Sequence, residues 1–438
     1  MFNTLTKKKE KFVPINDGKV NFFVCGPTVY DYAHIGNAKT YTQFDFIVRY
    51  LRYQGLNVFY LQNITDIDDK ILNRAKESGI PWKELTNKYE KLYVEDMKKL
   101  NNISVSKYAR ATDYIDQIVK QVKILAEKGY AYTIDGGIYF EISKFHEYGI
   151  LSGRTEIKKD DSVSRIDENG HKRGWNDFCL WKFSKLNEPS WKTELGNGRP
   201  GWHIEDTAIT ETFFGPQYDV HGGATDLIFP HHEAEIAQME SASGKNPLVK
   251  YWLHTAFLMV DGRKMSKSLG NLYTVADVEK KGFDPLALRY LYLTAHYRDP
   301  LNFTWESLKA TQVALLKLRN LVQSFKRDGR RTTVSEYKNK FLEALNDDLN
   351  TPQALAVLWE MLKSNIPSGD KYDLALSFDE VLGLELNKGP KEVVIPDEIN
   401  KLIEKRNTLR KEGKFEEADR IRRGIEEKGF SIGDEKIS

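Results

Sequence analysis

A strand–helix–strand pattern near the N-terminus constrains the fold more than any other feature of the chain. Residues 20–25 form an apolar run typical of a buried strand, and residues 57–61 form a second one. The apolar residues that recur at helical spacing between them are Phe44, Ile47, Val48 and Leu51. Two strands joined by a helix indicate a parallel sheet, whose ligand site lies beyond the carboxyl ends of the strands. The sequence therefore predicts an α/β protein.

The pattern changes twice after this unit. Residues 131–200 contain short strand-like pieces among turn and charged residues, which predicts an insertion within the sheet domain. Strand signals return at 201–210 and at 218–229. From residue 285 onward the apolar spacing is almost wholly helical, with a linker predicted at 383–396. We therefore expect a sheet domain with an insertion, followed by a helical region.

Composition excludes several classes of protein. The 438 residues are 40% hydrophobic, which is enough for packed cores, and 65 basic residues nearly balance 63 acidic ones. This balance excludes a strongly basic nucleic-acid coat protein and an acidic disordered chain. Two cysteines, Cys25 and Cys179, exclude a disulfide-rich scaffold. Without a long apolar run or a signal-like N-terminus, we expect no membrane contact and a cytoplasmic location.

Two short motifs point to phosphate chemistry, although the chain has neither a Gly-x-Gly-x-x-Gly sequence nor a P-loop. His34, Gly36 and Asn37 lie between the first strand and its helix, where free N–H groups attract phosphate. Lys264 and Lys267 lie in a downstream Lys-Met-Ser-Lys-Ser loop, which offers positive charge to transition-state oxygens. Each motif alone also fits a solvated loop. Their joint presence in this order favours a nucleotide site.

Together with other segments, these motifs resemble the class I aminoacyl-tRNA synthetases and, among them, the cysteinyl-tRNA synthetase family. The segments that carry the resemblance are residues 23–31, 34–37, 63–70, 198–205, 229–235, 264–268 and 347–352. The resemblance implies a Rossmann-type class I catalytic domain with an insertion, followed by an α-helical anticodon-binding bundle.

The resemblance also implies how the chain is divided. The expected segments are 1–130, the first half of the catalytic domain; 131–200, the connective insertion; 201–255, the second half of the catalytic domain; 256–310, a stem-contact region with the Lys-Met-Ser-Lys-Ser loop; 311–390, a helical bundle; and 391–438, a small anticodon-recognition segment.

The activity that the resemblance implies is that of a cysteine–tRNA ligase. Such an enzyme activates L-cysteine with ATP and Mg²⁺ to cysteinyl-adenylate and pyrophosphate, then transfers cysteine to the 3′ end of tRNA(Cys). The implied catalytic residues are His34, Lys264 and Lys267. The implied ATP-binding residues are Thr28, His34, Gly36, Asn37 and Lys267. The implied substrate-binding residues are Gly26, Thr65, Trp202 and Asp226.

The choice of cysteine over serine needs more than shape, because the two amino acids differ by one atom. Zn²⁺ prefers sulfur to a hydroxyl, and the family holds a zinc ion with two cysteines, a histidine and a glutamate. The corresponding residues here are Cys25, Asp206, His231 and Glu235, with Asp206 where the family normally has cysteine. An aspartate conserves the ligand charge but is a harder donor. We expect one zinc per subunit; the alternative is a site without metal that selects by shape and hydrogen bonds.

Other functions stay open from the sequence alone. A related enzyme joins cysteine to an amino sugar, but the helical region 285–438 favours tRNA as the acceptor. A non-catalytic RNA-binding paralogue or a changed amino-acid specificity is suggested only by Asp206, and the intact His34, Lys264 and Lys267 weigh against the paralogue.

The expected contacts with tRNA are basic side chains, and we expect the protein to be a monomer. Around the start of the helical bundle, basic residues predict either contact with the RNA backbone or a solvated face; they are Lys317, Arg319, Lys326, Arg327, Arg330 and Arg331. Near the C-terminus the expected contacts are Arg420, Arg422 and Arg423. The family's Trp/Arg tail has no counterpart before Ser438, so the sequence leaves open whether this terminus reads the anticodon.

Overall fold

The computed structural model describes residues 1–154, 171–266, 269–325, 335–389 and 397–427. The strands are β1 (Phe2–Asn3), β2 (Lys8–Lys9), β3 (Lys19–Val24), β4 (Asn57–Ile64), β5 (Lys107–Arg110), β6 (Ala131–Ile134), β7 (Gly137–Phe140), β8 (Phe178–Phe183), β9 (Trp191–Thr193), β10 (Gly196–Pro200), β11 (Tyr218–Ala224), β12 (Val249–Thr255), β13 (Leu258–Val260), β14 (Arg263–Lys264) and β15 (Leu301–Phe303).

Helices follow the sheets and fill the C-terminal third of the chain. They are α1 (Ile35–Tyr53), α2 (Asp69–Ser78), α3 (Trp82–Lys99), α4 (Ile115–Glu127), α5 (Ile204–Phe214), α6 (Glu233–Ser243), α7 (Val275–Lys280), α8 (Pro285–Leu293), α9 (Trp305–Ser324), α10 (Ser335–Asn346), α11 (Thr351–Lys363), α12 (Ser368–Leu382), α13 (Asp397–Lys411) and α14 (Phe415–Glu427). Among the described residues, no helix combines the length and apolar character that a membrane span requires.

The central sheet is parallel and has the strand order β12-β11-β3-β4-β5. The chain leaves β3 through α1 to β4 on one side, and β11 pairs with β3 on the other side. The order of strands therefore reverses between β3 and β11. At such a switch point the loops after the strands diverge and leave a crevice for a ligand. The predicted strand–helix–strand unit forms one half of this arrangement.

Aromatic packing fixes α1 across the sheet. The ring of Phe22 in β3 makes edge contacts with Phe44 of α1 and Tyr60 of β4, with centroids 6.1 and 5.6 Å apart. Gly222 in β11 leaves the room that Phe44 needs, because a Cβ there would come within 2.4 Å of its ring. The close approach of helix and sheet thus aims the N-terminus of α1 at the crevice.

The insertion forms a separate antiparallel sheet with the order β6-β7-β8-β10-β9. Directly after it, the strand expected at 201–210 is wrong, because Ile204–Phe214 is helix α5. Its first seven residues, Ile204 to Thr210, are all buried. A helix that is buried on all sides, with polar and apolar residues mixed, gives no periodic signal, and its threonines and isoleucines favoured a strand by propensity alone.

A buried arginine joins the sheet domain to the helical region. Arg289 in α8 pairs with Asp45 of α1 at 2.8 Å and donates to the carbonyls of Leu100 and Leu382. Gly383 ends α12 in a left-handed conformation, and a Cβ there would meet the Arg289 guanidinium at 2.7 Å. One side chain therefore ties α1, the turn after α3 and the end of α12 together.

Arg319 has a similar structural role, so it is not available to contact RNA as expected. It is buried in α9, pairs with Asp284 at 2.8 Å and donates to the carbonyl of Leu384. Four of the other basic residues named with it, Lys326, Arg327, Arg330 and Arg331, lie outside the described residues.

Replacing Arg289 tests this junction. Arg289→Met should lower the free energy of unfolding by about 3–5 kcal/mol, because it leaves the Asp45 carboxylate buried beside fewer cations. Equilibrium denaturation in guanidinium measures the change. Lys340→Met, which removes an exposed pair with Glu336, is the matched control and should leave the midpoint unchanged. A loss below 1 kcal/mol for Arg289→Met would show that the junction is not under the expected electrostatic constraint.

Candidate active site

One cleft of about 870 Å³ opens at the switch point of the parallel sheet. Every described residue predicted to bind ATP, substrate or metal lines this cleft, except Glu235. The lining members of that set are Cys25, Gly26, Thr28, His34, Gly36, Asn37, Thr65, Trp202, Asp206, Asp226, His231 and Lys264. Glu235 lies directly behind the wall, and Lys267 lies outside the described residues.

The N-terminus of α1 forms one end of the cleft. His34 caps the helix: its Nδ1 accepts the backbone N–H of Asn37 at 3.2 Å, and the Asn37 side chain accepts the N–H of His34 at 3.3 Å. Burial lowers the pKa of His34, which favours the neutral ring. Because Nδ1 accepts, the neutral ring carries its proton on Nε2. His34 can therefore donate one hydrogen bond to a phosphate oxygen.

The Lys-Met-Ser-Lys-Ser loop approaches the same helix end. A Cβ on Gly36 would come within 2.3 Å of the Met265 side chain, so the glycine permits this approach. Asn271 closes the loop by accepting the N–H of Ser266 at 2.9 Å and donating to the carbonyl of Lys264 at 3.2 Å. The Lys264 side chain is exposed at the cleft. Among the described residues, the N-terminus of α1 and the exposed Lys264 offer N–H and ammonium donors of the kind that bind phosphate.

Four side chains from distant parts of the sequence converge at the inner end of the cleft. One ligand atom each from Cys25, Asp206, His231 and Glu235 lies within 4.8 Å of the other three. His231 Nε2 is 3.0 Å from Asp206 Oδ2 and 3.1 Å from Glu235 Oε1, and Cys25 Sγ is 3.7 Å from Glu235 Oε1. Ligands of one tetrahedral zinc lie about 3.3–3.6 Å apart, given bonds of 2.0–2.3 Å. We call these four residues the cage.

The fold brings the cage together through strand ends and helix starts. Cys25 follows β3, and Asp206 and Glu235 each occupy the third position of a helix, α5 and α6. The positive end of a helix dipole stabilises a carboxylate in the first turn. His231 lies in the turn before α6, and its Nδ1 is 2.7 Å from His203 Nδ1, which leaves Nε2 to face the cage.

Electrostatics in the cage favour a cation. Burial raises the pKa of the Cys25 thiol well above its ordinary value, and the carboxylates of Glu235 and Asp206 raise it further. Burial and then Asp206 also raise the pKa of Glu235. Among the described residues, the buried Oε2 of Glu235 has no hydrogen-bond partner, and His221 Nδ1 lies 3.5 Å from it. A soft-to-borderline divalent cation fits this donor set of one sulfur, one nitrogen and two carboxylates.

Sequence reasoning missed the histidines around the cage. His221 and His232 lie 3.3 and 3.2 Å from Cys25 Sγ and, with Glu235, form a second group of closely spaced donors. Burial lowers the pKa of His254, which contacts His232 at 2.8 Å, to about 3. Unlike Asp206 and His231, these three residues do not line the cleft. The signal for them was the placement of histidines in otherwise apolar strands and next to His231.

The cleft is also lined by residues that are predicted to bind the amino-acid substrate. The Trp202 ring stacks on the His231 ring with centroids 4.2 Å apart. Thr65 donates to the buried Glu205 at 2.8 Å, and Asp226 lies exposed at the cleft. A small amino acid with its side chain at the cage therefore has a hydroxyl and a carboxylate within the same cleft.

Alkylation tests the environment of Cys25. In the metal-free protein at pH 8, iodoacetamide should modify Cys179 faster than Cys25, because burial and the raised pKa keep the Cys25 thiol protonated and covered. Peptide mapping by mass spectrometry measures both rates, and denatured protein, in which the rates should become similar, is the control. Faster labelling of Cys25 would contradict this description of the cage.

Comparison with known proteins agrees with this geometry. Residues 11–313 match the family model of the tRNA synthetases class I (C) catalytic domain, and residues 340–365 match a DALR domain. A protein of Caldicellulosiruptor saccharolyticus, named cysteine–tRNA ligase, is 42% identical over 99% of this chain and 97% of its own. One of Thermococcus gammatolerans with the same name is 40% identical over the same shares.

Solved structures support the fold. A Mycobacterium tuberculosis methionyl-tRNA synthetase in complex with methionyl-adenylate superposes with a TM-score of 0.58 at 17% identity, over 83% of this chain and 90% of that one. A putative arginyl-tRNA synthetase from Campylobacter jejuni gives 0.52 at 16% identity, over 85% and 93%. With the catalytic-domain match and full-length relatives above 40% identity, the chain belongs to the class I tRNA synthetases, in the cysteine–tRNA ligase family.

Proposed function

We propose that this protein is a cysteine–tRNA ligase that activates L-cysteine with ATP and transfers it to the 3′ end of tRNA(Cys). The observation that carries the proposal is that one cleft is lined both by the N-terminus of α1 and by members of the buried cage, including its one sulfur donor. The relatives named cysteine–tRNA ligase match nearly the whole chain, including its helical part. This extent supports a tRNA acceptor over an amino sugar.

Activation is mainly a matter of position and charge. A carboxylate oxygen of cysteine attacks the α-phosphorus of ATP, the bond to the β,γ-phosphates breaks, and pyrophosphate leaves. His34, through Nε2–H, and Asn37 would hold phosphate oxygens at the α1 N-terminus, with Thr28 and the backbone of Gly36 beside them. Lys264 and Lys267 would stabilise the charge that develops on the departing pyrophosphate, and Mg²⁺ would accompany ATP.

Cysteine would bind with its ammonium at Asp226 and its backbone near Gly26 and Thr65. Trp202 would cover the substrate and hold the His231 ring through their stacking. Cys25, Asp206, His231 and Glu235 would hold one Zn²⁺ ion, which supplies a Lewis acid that binds the substrate's sulfur and prefers it to a hydroxyl. In the second half-reaction, a hydroxyl of the terminal adenosine attacks the carbonyl carbon and AMP leaves.

We also propose a monomer that acts in the cytoplasm. The residues named above come from one chain, and those that the structure describes line one cleft or, for Glu235, lie directly behind its wall, so we propose a site that one subunit completes. We propose the cytoplasmic location because aminoacylated tRNA is consumed at ribosomes. Light scattering on the purified protein measures its molar mass in solution and so tests whether it is a monomer.

Cysteine-dependent exchange of pyrophosphate into ATP tests the activation step. The wild type should catalyse it, and His34→Ala and Lys267→Ala should each reduce the rate about 10²–10³-fold, since each removes a donor to transition-state oxygens. Lys182→Ala, which removes an exposed pair with Asp69 at the cleft rim, should retain most of the rate. Exchange that is absent from the wild type would contradict the proposed function.

Competition between cysteine and serine tests how the amino acid is chosen. Shape alone separates close analogues by a factor on the order of 10². We expect the ratio of kcat/KM for cysteine over serine to exceed this in the zinc-loaded protein, and cysteine-dependent exchange to fall on removal of zinc by a chelator. Re-addition of Zn²⁺ is the control. Selectivity that survives complete metal loss would assign the choice to shape and hydrogen bonds instead.

A further inference from the structure

Asn63 contacts Asp206, the cage residue at the position where the family resemblance implies a cysteine. It lies at the carboxyl end of β4, is 2% exposed, and its Nδ2 donates to Asp206 Oδ1 at 2.5 Å. The other oxygen of Asp206, Oδ2, faces His231 Nε2 at 3.0 Å. The two carboxylate oxygens of Asp206 therefore have different surroundings, one toward an amide and one toward the cage.

The orientation of the Asn63 amide is fixed by the backbone. Its Oδ1 accepts the N–H of Gly26 at 2.5 Å, and a backbone N–H can only donate. A flipped amide would set two donors against each other at Gly26. Nδ2 must therefore face Asp206, whose carboxylate can only accept.

This contact limits how Asp206 binds a cation. Oδ1 is committed to Asn63, so a single oxygen, Oδ2, is directed into the cage. A cysteine at this position would offer one sulfur and no second donor atom, whereas an unrestrained aspartate can offer two oxygens. The hydrogen bond from Asn63 makes the aspartate act as a one-atom ligand, which preserves a four-donor cage and leaves a position for the substrate's sulfur.

We propose that Asn63 is the positioning residue that holds Asp206 as a one-oxygen metal ligand. Through Gly26, the same side chain links this ligand to the backbone next to Cys25, another member of the cage. The proposal rests on the metal site of the proposed function.

Zinc affinity of the full-length protein tests this role. Asn63→Ala should weaken Zn²⁺ binding about 10–100-fold, the usual effect of removing a partner that orients a ligand. Competition with a chromophoric chelator measures the affinity. Loaded with Co²⁺, the variant should show weaker visible absorption than the wild type, because a freed second oxygen raises the coordination number above four. Asn102→Ala, at another buried asparagine remote from the cage, is the matched control and should retain wild-type zinc affinity.

The same substitution in an Asp206→Cys variant distinguishes a role of Asn63 in positioning Asp206 from a general effect on the fold. In Asp206→Cys protein the side chain at position 206 has no second donor atom, so Asn63→Ala should cost much less zinc affinity there than in the wild type. Equal losses in both backgrounds, no loss in the wild type, or a wild type that binds no Zn²⁺ would each overturn the proposal. Cysteine-dependent exchange by the wild type reports on the proposed function independently of these affinities.

Discussion

The structure depends on charge compensation in a buried cage. Cys25, Asp206 and Glu235 are each at most 5% exposed, and together they bring a thiol and two carboxylates within a few ångströms. Taking such groups out of water is costly unless a counter-charge is present. The raised pKa values of Cys25 and Glu235 express this cost. One divalent cation would remove it, and a carboxylate at position 206 carries the same charge as the thiolate that the family resemblance implies there.

The fold meets this constraint because the ends of several strands and helices lie close together at the cage. Cys25 and Asn63 end neighbouring parallel strands, and Asp206 and Glu235 begin two packed helices. The helix α1, whose N-terminus is proposed to bind phosphate, crosses the same sheet and is held by the pair between its Asp45 and Arg289. Tyr292 of α8 also donates to the carbonyl of Ile35, the first residue of α1. The helical region is therefore in direct contact with the N-terminus of α1, which lines the cleft.

Much of this could be predicted because the signals are local. The β3–α1–β4 unit has the right periodicity, and the motifs at strand ends indicate where a ligand lies. The prediction failed for α5, whose buried residues lack a helical pattern, and for Arg319, whose pairing with Asp284 joins residues 35 positions apart. His221, His232 and His254, together with Asn63 and Arg289, act through contacts that sequence spacing does not encode. The convergence of the four cage residues is visible in the structure, whereas their binding of zinc stays a prediction.

Asp206 makes the central claim unusually easy to test, since the cage has a single protein thiolate. Zinc K-edge X-ray absorption of the zinc-loaded protein counts sulfur neighbours of the metal directly. We expect the zinc ion to have one sulfur neighbour at about 2.3 Å in the free protein, two after addition of cysteine, and one after addition of serine. A sulfur count that does not change when cysteine is added would contradict the claim that a metal in this cage binds the sulfur of the substrate.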